Sequence, residues 1–576
     1  MTRRVLRVGN CSGFYGDRLG AMREMLEGGH LDVLTGDYLA ELTMLILGRD
    51  AAKDPSTGYA RTFVRQVADN LALAAERGVR LVANAGGLNP AGLATKVREI
   101  AAAQGLSLRV AHVEGDDLRP RAESLGLGAP LTANAYLGCF GIAAALQAGA
   151  DVVVTGRVTD ASLTVGAAAA EFGWKPSDLD PLAGATAAGH VLECGTQATG
   201  GNFSGFAALG ADLAHPGFPL AEIADDGGSV ITKHPGTGGA VTVDTVTAQL
   251  VYEVDGPAYL GPDVITHLDS LQLSSDGPDR VRISGAVGSA PPETLKVCLN
   301  SLGGFRNSVE LVLTGLDIEA KAALARRQLE AALAAAPPES VSWDLATTAH
   351  DDPRTQAHAT AYLRCHVKAS DPDRVGRAFS GAAVELALGS YPGFTMTSPP
   401  GAATPFGVCT AGYVPQDTVD HVAVLDDGTR IVIPPPTSFG PDPVGLTFPW
   451  RLAGESHGSV RLSEGGPTRR VVLGRIVNTR SGDKGGDANV GVWVGTDRRY
   501  AWLAGFLDVD RFRALIPEAA DLPVEVHHLP NLRAVNVVVR GLLGDGVAAS
   551  TRFDPQAKAL GEWLGARVVD VPEALL

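Results

Sequence analysis

The chain has 576 residues, 45% hydrophobic and 19% charged, with 48 Lys and Arg against 64 Asp and Glu and a formal net charge of −16. One core rarely grows past ~250–300 residues, so about two to four domains are expected. The evenly spread acidic charge argues against nucleic acid or an anionic membrane as main partner, and no apolar run reaches the ~18 residues of a membrane span. The 6 cysteines, none in CxxC spacing, fit a reducing cytoplasm and disfavour a disulfide framework or a cysteine zinc site.

The first two hundred residues alternate strand and helix. Val5–Val8 reads as a short strand without the apolar core of a signal peptide, followed by the loop Gly9-Asn10-Cys11-Ser12-Gly13. Helices are expected over Asp17–Glu27 and over Tyr59–Glu76, the second stopped by Gly78. Val79–Ala83 is a strand leading into Asn84-Ala85-Gly86-Gly87-Leu88-Asn89-Pro90, where proline opens the next helix. Leu108–Val113 is a strand, Ala135–Ala148 a helix, and Asp151–Thr155 a strand ending in Gly156-Arg157-Val158-Thr159-Asp160. This order predicts a mostly parallel sheet with helices on both faces, and ligands bind beyond the carboxyl ends of such strands. The loops starting at Asn10, Asn84, Glu114 and Thr155 are therefore expected to converge.

The texture changes near residue 228. Val241–Thr247, Ala248–Val254 and Val281–Val287 read as strands, Ile318–Ala334 and Asp373–Leu388 as helices, and Ala361–Val367 as a further strand. The expected division is an N-terminal α/β domain over 1–227, a second α/β or α+β part over 228–450, a Gly/Ser/Glu-rich linker over 451–468, and a small α+β sandwich of ferredoxin-like topology over 469–576. In that last part Arg470–Asn478 and Asn489–Val494 read as strands joined by a glycine-rich loop.

Chemistry concentrates in a few loops. Arg157, at a strand end, is placed to clamp a carboxylate or phosphate; Thr159 or Asp160 suits the following helix N-cap. The glycine loops with Asn10 and Ser12, and with Asn84, Gly86 and Gly87, either bind an anion at a helix N-terminus or are plain tight turns. The stretch from Glu193 to Gly205 combines Glu193, Cys194, Gly200, Gly201 and Asn202. Cys194 is either a nucleophile, with His190 as one possible base, or a small core residue. Glu193 is a candidate general acid or base. Asp483 and Lys484, in Ser481-Gly482-Asp483-Lys484-Gly485-Gly486, can present charge and backbone donors to an anion. No motif with metal-ligand spacing appears, and no metal or cofactor is expected.

Together, Gly9-Asn10-Cys11-Ser12-Gly13-Phe14-Tyr15-Gly16-Asp17, the Asn84–Pro90 loop, Thr155-Gly156-Arg157-Val158-Thr159-Asp160, Glu193-Cys194-Gly195 and Gly200-Gly201-Asn202-Phe203 resemble the N-terminal domain of the acyclic terpene utilisation (AtuA) family. Arg480-Ser481-Gly482-Asp483-Lys484-Gly485 and Leu529-Pro530-Asn531-Leu532 resemble its C-terminal ferredoxin-fold domain. The resemblance implies catabolism of acyclic terpenoid or other branched acids as acyl-CoA thioesters. The leading expectation is a cytoplasmic, homo-oligomeric enzyme of hydratase or lyase type, with a CoA thioester as substrate, Glu193 or Asp160 doing acid–base work, and Arg157, Lys484 and the glycine loops holding anionic groups. The alternatives are a thioesterase or acyltransferase acting through Cys194, and a non-catalytic acyl-CoA-binding scaffold subunit.

Overall fold

The computed structural model describes residues 4–440 and 466–576; the linker expected over 451–468 lies outside them except at its very end, as does the domain limit at 450. The described residues form two compact units. One lies within Met1–Asn300, Cys409–Val547 and Asp554–Leu576, and the other within Ser301–Val408 and Ala548–Phe553.

The first unit is organised by strands β1 (Val5–Asn10), β2 (Val33–Gly36), β3 (Arg80–Ala83), β4 (Val110–Glu114), β5 (Thr132–Ala135), β6 (Val152–Thr155), β7 (Pro219–Ala224) and β8 (Ser229–Lys233). Five of them run parallel in the order β1-β2-β3-β6-β4. Antiparallel strands extend both edges: β7, β8, Val281–Ser284 and Gln272–Ser275 beyond β1, and Val422–Val424 and Arg430–Val432 beyond β4. Successive residues of a strand point to opposite faces. Leu81 and Ala83 accordingly join one core with helices α1 (Ala21–Gly28), α2 (Glu41–Lys53) near its margin, α3 (Arg61–Arg77) and α4 (Pro90–Ala103), through Met22, Phe63, Leu71 and Leu93. Val82, between them, joins the opposite core with α5 (Phe140–Gln147), α6 (Ser162–Phe172) and α7 (Leu179–Leu192), through Ile142, Leu163 and Leu182. Strands covered on both faces read as continuous apolar runs, as Val152-Val153-Val154 does.

Local signals set the helix limits. Gly78, at φ 67°, ends α3, and the Asn89 side chain caps α4 by accepting from Gly92 N with Pro90 in the first turn. Where structure and expectation differ, tertiary pairing or capping decides. Val241–Val254 contains a helix, α8 (Val243–Leu250), in place of two strands: Thr242 and Thr245 form a reciprocal capping box, and the helix is buried through most of its length. Of the helix expected over Ala135–Ala148, Ala135 instead ends β5, which pairs with Val297 to Asn300, and the helix itself spans Phe140–Gln147.

The C-terminal residues of this unit form an antiparallel sheet in the order Asn478–Lys484, Asp487–Trp493, Ala534–Val539, Val524–Leu529. Helices Asp497–Phe506, Val509–Leu515 and Leu560–Gly565 contribute Leu503, Phe512 and Leu564 to its core. The strand expected over Arg470–Asn478 divides into Thr468–Val472 and Asn478–Lys484. Ser481 to Lys484 is therefore paired strand, with the turn confined to Gly485-Gly486, where an open loop was expected.

The second unit is a smaller α+β body. Ser340–Thr347, Thr360–Ala369, the later part of Thr294–Thr314 and Thr395–Met396 pair in that order. Ile318–Leu333 and Arg377–Glu385 cover the sheet through Leu329 and Phe379.

Candidate functional site at the strand ends

The carboxyl ends of β1, β2, β3 and β6 converge in the first unit, and hydrogen bonds between their loops fix them. Asn10 Nδ2, at the end of β1, donates to Leu192 O at 2.5 Å and Glu193 O at 3.0 Å, and its Oδ1 accepts from Ser12 N at 2.7 Å. Ser12 Oγ donates to Phe14 O at 3.0 Å. Asn84, after β3, donates to Asp37 Oδ1 at 2.5 Å and accepts from Tyr38 N at 2.7 Å. Gly86 N donates to Thr155 O at 2.9 Å, and a Cβ at Gly86 would stand 2.4 Å from that oxygen. Gly87, at φ 53°, packs against Gly58 O. These asparagines and glycines hold loop to loop.

Three carboxylates, two from strand ends and one from a helix end, meet there. Asp37 follows β2, Asp160 follows β6, and Glu193 follows α7; one oxygen of each lies within 4.8 Å of the others. Asp37 and Glu193 are buried, at 5% and 6% exposure. Arg157, 2% exposed, pairs with Asp160 Oδ1 at 2.8 Å and donates to Leu39 O at 2.9 Å. Its backbone N–H donates to Asp116 Oδ2 at 2.8 Å. His190 Nδ1 shares a hydrogen bond with Glu193 Oε1 at 3.1 Å. Burial raises the pKa of all three carboxyls; the charge of Asp160 adds to this at Asp37 and Glu193, while Arg157 opposes it at Asp160. Burial, with Lys484 assisting, lowers His190 to about 4, so its imidazole is neutral near pH 7.

A second charged group adjoins. Tyr136 Oη donates to Glu41 Oε1 at 2.8 Å, Lys296 Nζ lies 3.4 Å from the same oxygen, and the Arg157 guanidinium stacks 4.4 Å from the Tyr136 ring centroid. Burial would raise Glu41, yet Lys296, Arg157 and Tyr136 together hold it below the usual carboxylate range.

The C-terminal hairpin supplies another wall. Lys484 Nζ donates to Glu253 O at 2.8 Å, and its charge acts on Asp160, His190 and Glu193. Burial, then Glu253, raises Asp483 to about 8. Arg480 Nη1 donates to Asn202 O at 3.0 Å, its Nη2 contacts Gln197 Oε1, and the guanidinium lies 4.1 Å from the Tyr252 ring centroid. Asn202 adopts φ 56°, and Gly200 and Gly201 turn the chain through hydrogen bonds to Gln197 O and Thr196 O.

Asp160, Glu193, Arg157 and Lys484 are thus brought together. Cys194 is adjacent in sequence, but its thiol is pushed well up by burial, then by Glu193, and among the described residues no imidazole hydrogen-bonds it. The partner of His190 is Glu193, at i+3 on the last turn of α7, where Cys194 at i+4 was considered. Sequence reasoning missed Asp37, Glu41, Tyr136, Glu253, Lys296 and Arg480. For Asp37 the available signal was Val33-Leu34, which must supply a strand between two helices.

A family model described as acyclic terpene utilisation family protein AtuA matches residues 6–425, and another described as AtuA ferredoxin-like domain matches residues 471–570. No curated protein matches the chain. Among the described residues no helix is long and apolar enough to cross a membrane. The parallel-sheet architecture, the strand-end motifs and the C-terminal hairpin agree with these matches over nearly the whole sequence, and the chain belongs to the acyclic terpene utilisation family AtuA, which implies a role in acyclic terpene utilisation.

Proposed function

We propose that the chain is a cytoplasmic enzyme of branched-chain or acyclic terpenoid acyl-CoA catabolism, using acid–base chemistry of the hydratase or lyase type. The observation that carries this reading is the juxtaposition of half-buried Asp160 and buried Glu193 with the fixed cations Arg157 and Lys484. Proton removal next to a thioester carbonyl needs a base whose pKa is raised toward neutrality and positive charge where the enolate oxygen develops. Glu193, oriented by His190, supplies the first; Arg157 and Lys484 supply the second and also suit a substrate carboxylate. The 6 cysteines, all free, support a reducing compartment.

Incubating the full chain with branched enoyl-CoA and hydroxyacyl-CoA thioesters, followed by mass spectrometry, tests this. Interconversion of an enoyl and a hydroxyacyl thioester, or cleavage of a carbon–carbon bond, is the expected result. An absence of both turnover and binding across the panel contradicts it.

A further inference from the structure

We propose that Asp37, Asp160 and Glu193 are the protein ligands of a divalent, oxygen-preferring cation of the Mg2+ or Mn2+ class. Spacing along the sequence gave no hint of such a site, because each ligand comes from a different strand or helix end. In space, one oxygen of each carboxylate lies within 4.8 Å of the other two.

Each carboxylate is held at one of its oxygens by a hydrogen bond or an ion pair. Asn84 Nδ2 and Leu39 N take Asp37 Oδ1, at 2.5 and 3.1 Å. Arg157 Nη1 stands 2.8 Å from Asp160 Oδ1 as an ion pair without hydrogen-bond geometry, and His190 Nδ1 shares a hydrogen bond with Glu193 Oε1 at 3.1 Å. Outer groups that hold metal-binding side chains in place act in this way.

A separate observation points to a missing partner. Glu193 is 6% exposed, yet its Oε2 is buried with no hydrogen-bond donor. A buried acceptor without a donor is costly, and a cation bound at that oxygen removes the cost. Arg157 pairs directly with Asp160 alone of the three; its charge reaches Asp37 and Glu193, and that of Lys484 reaches Glu193, yet Asp160 still repels both, and a further positive charge would relieve this.

The donor set selects the ion. An all-oxygen set disfavours zinc and copper, and three carboxylates leave positions for water or a substrate oxygen, as Mg2+ and Mn2+ sites usually do. Where the cation is bound, Asp37, Asp160 and Glu193 act as ligands and the substrate oxygen is polarised directly; the acid–base role of Glu193 is that of the cation-free site.

The site is tested on the full chain, stripped with a chelator and titrated with Mn2+ alone, by electron paramagnetic resonance and calorimetry. The expected result is one Mn2+ per chain, weakened about tenfold or more by Glu193→Gln and by Asp160→Asn, and about 10–100-fold by His190→Ala, which removes an orienting group. Circular dichroism and melting curves show which variants fold; Asp160→Asn, at a side chain 26% exposed, is the mildest change. Failure to bind Mn2+ stoichiometrically overturns the proposal, as does binding unchanged in every folded variant. Because no thioester is present, this outcome is independent of the acyl-CoA panel.

Discussion

Arg480 Nη1 donates to the backbone carbonyl of Asn202 at 3.0 Å, joining residues 278 apart in sequence. Arg480 is 4% exposed and sits on the C-terminal sheet; Asn202 ends the turn that follows Glu193. The same strand carries Lys484, whose amine reaches Glu253 O. The C-terminal hairpin therefore sets both the shape of the Glu193 loop and part of the charge around it.

Removing that joint should be costly. Arg480→Ala leaves Asn202 O and Gln197 without their donor and strips the cover from Tyr252. A loss of about 1.5–3 kcal/mol in unfolding free energy is expected, read from urea denaturation. Stability equal to wild type would show that the contact is not holding the loop.

Gly86 is required by space. A Cβ there meets Thr155 O at 2.4 Å and Pro90 Cα at 2.7 Å, both backbone atoms that cannot rotate away. Gly86→Ala should lower stability by about 1–3 kcal/mol. An unaffected melting temperature would mean that the loops ending β3 and β6 are not in contact.

Asp116 gives a pH signature. Burial raises it from 3.8 to about 7, so between these values the folded protein holds a proton that the unfolded chain has released. More protons in the folded state mean that this group's contribution to stability falls as pH climbs through that window and is level above it. The loss in denaturation free energy between about pH 5 and about pH 8 should be smaller in Asp116→Asn than in wild type. Identical losses would place the Asp116 carboxyl at an ordinary value.

Cys194 should be inert. Burial and neighbouring negative charge disfavour the thiolate, which is the reactive form. Iodoacetamide near neutral pH should leave Cys194 unmodified in the native protein and label it after denaturation, as peptide mass spectrometry reads directly. Rapid native labelling would revive the thioesterase or acyltransferase reading.

Much of this site was legible in the sequence because alternating strands and helices force their carboxyl-end loops together. That logic reached Asn10, Asn84 and Arg157. It missed Asp37 because β2 is only four residues long and gives little periodicity. Val243–Leu250 misled because Val and Thr favour strands, while the Thr242–Thr245 capping box, a local signal, selected a helix. His190 was weighed as a base for Cys194, but side-chain direction at the end of α7 gives it to Glu193. Long-range partners such as Glu41 with Tyr136 and Lys296 leave no mark on local sequence, since only the closed fold joins them.

Turnover of branched acyl-CoA thioesters by wild type and by folded Glu193→Gln, measured side by side, decides whether Glu193 carries the proton transfer. Wild type should convert the thioesters and the variant should lose about 100-fold or more in kcat, the scale of a general acid or base. Equal turnover by both proteins would contradict it.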